Sequence, residues 1–188
     1  MSMDERAMEA PPAVSLAKVL LPLATGGVVS ITLGAFAKLH QPTGIAVSVA
    51  GFSSPLTVKV WLASTAAALG VVQLLSALAI YGKLGLSAPP WVSPLHRWSG
   101  RLAFLLTVPV AVHCLYALGF ADYDARTLAH SLFGCLFFGV FTVKMLILPR
   151  YDIPGWVLPV AGGVLFTLLM ALWETSALWF FTTFGVKI

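Results

Sequence analysis

Four histidines, His40, His96, His113 and His130, lie in or at the ends of long apolar runs of this sequence. An ionisable side chain at membrane depth is costly, and it persists where it pairs or ligates. Neutral imidazole suits both roles, because it offers one N–H and one lone pair. At a helical rise of 1.5 Å per residue, the 17 residues from His96 to His113 separate them by roughly 25 Å, close to a membrane's apolar thickness. His130 opens the next apolar run after a short polar break, so it returns to the depth of His113. His40 closes the first run on that same side. Three of the four histidines thus converge on one half of the bilayer. A pair of neutral imidazoles facing across a helical bundle is what low-spin haem iron takes as axial ligands. His113 and His130 lead as candidates for that iron, followed by His40 and then His96.

Local sequence adds to this reading. His96 and His130 each open an H-x-x-x-G pattern, with Gly100 and Gly134 at the fourth position. A glycine there lies one turn along on the same helix face and leaves room for a porphyrin edge. Pro109, one turn before His113, breaks the helical ladder where functional sites in membrane helices are often built. Arg97 and Arg101 flank His96 and suit haem propionates or lipid phosphate, and equally the basic bias of a cytoplasmic face. Glu174 falls at the depth of His113, either as a proton relay or as a carboxylate reaching the interface. Lys144 is placed to snorkel to the inner surface. Two pairings stay open for the outer iron. His113 with His130 joins sequence-neighbouring helices, whose axes would lie about 8–10 Å apart, tight for a porphyrin. His40 with His113 is diagonal and better spaced.

The stretch Leu95-His96-Arg97-Trp98-Ser99-Gly100-Arg101-Leu102, followed by an apolar helix, resembles the cytochrome b561 superfamily in its L-H-x-W-x-G opening. Ala129-His130-Ser131-Leu132-Phe133-Gly134 resembles the next helix of that family. Similar openings occur in ferric-reductase-like membrane cytochromes. The resemblance covers about residues 95–148 and implies a b-type cytochrome that moves electrons across or into the membrane. That family draws a second ligand for each haem from the two preceding helices. Here the second apolar run holds no histidine, so the expectation is one haem near the outer face, with an inner haem at His96 left without a partner.

The elements that must position these residues are helices through a bilayer. The 188 residues are 59% hydrophobic and 10% charged, with mean hydropathy +0.94. A soluble domain carries roughly 25% charged residues, so a water-soluble fold is excluded. Residues 1–15 read as a cytoplasmic tail, and residues 16–188 as one domain with apolar stretches at about 16–39, 58–81, 96–120, 127–148 and 156–184. The expected fold is all-α, an up-down bundle of five transmembrane helices. Segment 41–55 is too short to span, so it is an outer loop or a partly re-entrant one. Lys and Arg collect at Arg6, Lys18, Lys83, Arg97, Arg101 and Arg150 on one side, which puts the N-terminus in the cytoplasm and the C-terminus outside. Ala63, Ser64, Ala67 and Gly70 give the second helix a small-residue face for close packing.

Cys114 and Cys135 sit inside apolar runs as small core residues, with a disulfide between neighbouring helices as the alternative. No basic row with interleaved aromatics marks a nucleic-acid surface, and no Ser/His/carboxylate set, phosphate loop or zinc spacing marks a hydrolase or transferase. The function this supports is an electron-transfer subunit that carries haem b, exchanging electrons with quinone or a partner protein of a larger redox complex. The alternative is a cofactor-free accessory subunit, its histidines serving as interhelical hydrogen-bond groups.

Overall fold

The computed structural model describes residues 16–46, 51–85, 87–150 and 153–188, so the tail read at 1–15 lies outside them. Five long helices carry the chain: α1 (Leu16–Leu39), α2 (Pro55–Ile80), α3 (Val92–His113), α4 (Ala125–Ile147) and α5 (Val157–Trp173). A π-helical turn, Cys114–Leu118, extends α3. A second, Glu174–Leu178, joins α5 to a short α6 (Trp179–Phe184). With these extensions, five segments of 22 to 28 residues are long and apolar enough to cross a membrane. The protein is an all-α integral membrane protein, and no strand occurs among the described residues.

Two helices begin three and two residues earlier than the apolar runs suggest, because capping chemistry sets their starts. Ser54 accepts the Thr57 amide hydrogen at 3.2 Å while the Thr57 hydroxyl answers the Ser54 backbone, with Pro55 in the first turn. Asp124 does the same for α4, accepting from the Thr127 amide at 2.7 Å. Its carboxyl is held below the ordinary range, chiefly by that amide hydrogen bond. The third helix starts at Val92, with Trp91 as its cap after Pro89-Pro90, rather than at His96.

Small residues decide which helices meet. Without a hydrophobic force between helices in lipid, close backbone approach favours small side chains. On α1, Gly26, Ser30 and Gly34 recur every fourth residue and face Gly139, Val143 and Cys135 of α4. A Cβ placed on Gly26 would stand 2.6 Å from the Gly139 carbonyl oxygen. On α2, the expected small face is used: Ala67 is buried, with Ala66 beside it, and a Cβ on Gly70 would meet Leu169 of α5 at 2.9 Å. The α2–α3 pair is fastened by Gln73, whose amide donates to Ser99 Oγ at 2.7 Å and to the His96 carbonyl. Gly100 makes room for that amide, since a Cβ there would lie 2.8 Å from Gln73 Oε1.

The result is a ring in the order α1, α4, α5, α2, α3, closed back to α1 through the π turn of α3. The expectation that α3 and α4 pack as close neighbours fails. The glycine seam draws α4 onto α1, and Gln73 draws α3 onto α2, leaving α3 and α4 to meet through side chains. Phe104 stacks on Phe141 at 3.7 Å and meets Phe138 edge-on at 5.8 Å. With Ala66, Phe137 and Leu169 these rings plug the middle of the bundle.

Candidate ligand cavity

At the end of the bundle that carries Ile188, the ring opens around a cavity of about 370 Å³, a size typical of small-molecule sites. Both π turns form its wall. Pro109 removes one amide from the α3 ladder, and the helix then widens over Cys114–Leu118, ending where Gly119 adopts φ 70° and donates to the Cys114 carbonyl at 2.9 Å. The widened turn leaves the Tyr116 and Ala117 carbonyls free, and the amides of Thr43 and Gly44 take them at 2.9 and 3.2 Å. The 41–46 part of the loop therefore docks on the bundle end; residues 47–50 lie outside the described set. Past the end of α5 the second π turn brings Thr175 and Ser176 to the cavity without any proline. Such turns are rare and often mark functional positions.

His130 lines this cavity and also a smaller one of about 90 Å³ that shares Ala111, Cys114, Gly134, Phe138 and Ser176 with it. Its Nδ1 lies 3.0 Å from Thr175 Oγ1. The Thr175 hydroxyl donates its own proton to the Ala171 carbonyl at 2.7 Å, so its oxygen accepts from His130. The imidazole is thus held as the Nδ1–H tautomer, and the lone pair falls on Nε2. This is the arrangement that metal-ligating histidines use, with the non-ligating nitrogen anchored behind. Gly134 also lines the cavity, and a Cβ there would touch only Leu172, at 3.9 Å, so the space one turn from the imidazole is open.

The other expected residues are placed elsewhere. On α3 the positions that line the two cavities are Thr107, Val110, Ala111 and Cys114, one stripe at helical spacing. His113 falls about a quarter turn or more off that stripe and lines neither cavity. His40 stacks on Phe36 at 5.0 Å and meets Tyr116 edge-on at 5.3 Å, its Nε2 buried without a hydrogen-bond partner. His96 sits at the opposite end, its Nδ1 2.8 Å from Ser76 Oγ, whose proton goes to the Val72 carbonyl. Gly100 is filled by Gln73 rather than by an open space, and Arg97 is exposed. Glu174 is exposed as well, while the Lys144 ammonium lies against α5 beside Gly162.

Three cavity residues escape sequence reasoning: Thr175, Lys59 and Arg126. Arg126 donates to the Thr175 carbonyl at 2.7 Å and lies 3.9 Å over the Trp179 ring. The only sequence signal for Lys59 and Arg126 is a cation inside, or just within, an apolar run, and Thr175 has none. Cys114 and Cys135 both line the cavity as free thiols, so the disulfide alternative is not formed. Among the described residues, no three His, Cys, Asp or Glu side chains converge as a bare metal site.

A family model of unknown function matches residues 19–188, which takes in all five spanning segments. The chain belongs to the DUF6529 family. No curated protein and no solved structure matches this DUF6529 protein.

Proposed function

We propose that this DUF6529 protein is a membrane electron-transfer subunit that holds one haem b in the Ile188-end cavity, with His130 as axial ligand. The observation that carries the reading is the contact of His130 Nδ1 with a Thr175 hydroxyl already engaged by the Ala171 carbonyl, which assigns the ring proton to Nδ1 and the lone pair to Nε2, on a histidine that lines a cavity of ligand size. The residues fit a haem ligated through one histidine. His130 is the histidine of the cavity wall among the described residues, so the bis-histidine pairings with His113 or His40 are not what this wall offers. When bound, the haem would store and release single electrons. Around it the chain's own residues hold the ligand nitrogen in register, keep space beside it at Gly134, and exclude water with an apolar wall that includes Leu33, Val60 and Phe138. With the N-terminus in the cytoplasm, as the Lys/Arg distribution indicates, this cavity faces the extracytoplasmic side. There electrons would pass to or from quinone in the bilayer or a redox partner.

The test is a dithionite-reduced minus oxidised spectrum of the purified protein, with haem quantified per chain. One haem with a b-type α-band is expected, lost in His130→Ala and kept in His96→Ala. A protein that stays colourless after expression with added haem refutes the reading. The accessory-subunit reading then stands, supported by the two bonds that bridge helices through histidine, His130 to Thr175 and His96 to Ser76.

A further inference from the structure

Two cations line the Ile188-end cavity, Lys59 in the first turns of α2 and Arg126 in the first turn of α4, and no carboxylate does. Lys59 is half-buried and has no hydrogen bond or ion pair among the described residues. Arg126 spends one nitrogen on the Thr175 carbonyl, and its nearest carboxylate, Asp124, stands at a loose 4.0 Å. Trp179 backs its guanidinium from one side at 3.9 Å, which fixes the plane and leaves donors over. The amino ends of α2 and α4 point to the same end of the bundle and add positive potential there. Deeper in, the wall is apolar, with Leu33, Val60, Leu115 and Phe138. A half-buried cation without a counter-charge is costly, and an incoming anion removes that cost.

We infer that the cavity selects an amphipathic carboxylic acid, its carboxylate held by Lys59 and Arg126 and its apolar body between α3 and α4. Phosphate esters without an apolar body lack the second half of the site, and neutral lipids lack the first. The inference shares its cavity with the haem reading but does not depend on iron ligation. Two acids fit the same chemistry, the propionate edge of haem and a free fatty acid, and the experiment separates them.

Binding is measured on the full chain in detergent with two matched pairs of probes: haem against haem dimethyl ester, and cis-parinaric acid against its methyl ester. Haem is read by absorbance, and the fatty acid by energy transfer from the chain's tryptophans to the bound polyene. The acid of at least one pair is expected to bind tenfold or more tightly than its ester. In the variant Lys59→Gln/Arg126→Gln the acid should weaken to the level of the ester, the ester being unchanged. Lys59→Arg should keep the preference, which guards against a variant that merely misfolds. Equal binding of acid and ester in both pairs overturns the inference, as does a preference that survives the double variant or the failure of both acids to bind. If cis-parinaric acid binds with the preference and haem does not bind, the haem reading falls and the inference stands. If haem and its dimethyl ester bind alike, and the fatty acid shows no preference, the haem reading stands and the inference falls.

Discussion

Replacing Thr175 by Val removes one hydroxyl and keeps the shape of the side chain, so it isolates the bond that fixes His130. In the native chain Thr175 Oγ1 both accepts from His130 Nδ1 at 3.0 Å and donates to the Ala171 carbonyl at 2.7 Å. The carbonyl retains its helical partner, so the loss falls mainly on the imidazole. Interhelical side-chain hydrogen bonds in membranes contribute about 0.6 kcal/mol on average and up to about 1.7. Leaving a buried donor unmet costs about 1–3 kcal/mol. The imidazole can limit that cost by moving its proton to Nε2, but the lone pair then no longer faces the cavity. The variant therefore loses about 1–2 kcal/mol of stability, and haem affinity falls by about 10–100-fold, the range for losing the residue behind a metal-bound histidine. Haem titration of the apoprotein, alongside thermal unfolding in detergent, reads both quantities. Thr175→Ser, which keeps the oxygen, should retain affinity. A valine variant that unfolds earlier but takes up haem with native affinity would refute the tautomer argument while leaving the hydrogen bond intact as a structural contact.

Two further outcomes follow from the fold. Gly139→Ala puts a methyl 2.5 Å from the Gly26 carbonyl oxygen and against Ser30 Oγ, so α1 and α4 must part; overpacking of this kind costs about 1–3 kcal/mol, to be read as a lowered Tm, whereas Gly163→Ala, with open space around its Cβ, should change little. The Asp124 cap sets a pH dependence: its carboxyl titrates lower folded than unfolded, so its stabilisation is present above the unfolded value and is lost as pH falls through the lowered one. Asp124→Asn, a good cap without a charge, should flatten that acid limb of a Tm-against-pH curve while leaving the Tm at pH 7 near native; an unchanged acid limb would assign it to other groups.

The five spans and their alternating direction are legible in the sequence because each carries its own apolar length and its own turn chemistry, down to the Ser54 and Asp124 caps. The pairing of His130 with Gly134 at the cavity is legible for a local reason too, since both lie on one helix face. His113 is different. Which way it points depends on which helices flank α3, and that is settled by Gly26, Ser30 and Gly34 meeting α4, contacts far apart in the chain. Sequence adjacency suggests that α3 packs on α4, and the glycine seam overrides it. The π turns are hidden for another reason: a single extra residue per turn leaves composition and hydropathy unchanged. Pro109 hints at the first, and nothing local hints at the second. Thr175 becomes visible as a site residue only once that turn is in place.

The seam between α1 and α4 also orders the making of the protein. Gly26 finds Gly139 only after α2 and α3 have been synthesised, so α1 enters the bilayer before its partner exists. The α2–α3 hairpin, joined through Gln73, Ser76 and His96, can assemble while the ribosome is still extending the chain. Until α4 emerges, α1 presents a strip of bare backbone to lipid, and any small-residue helix nearby is a rival for it. The cavity, walled by the last-made π turn and α6 and by the first-made α1, is complete only when the whole chain has left the insertion machinery, so a ligand can be loaded only at the end.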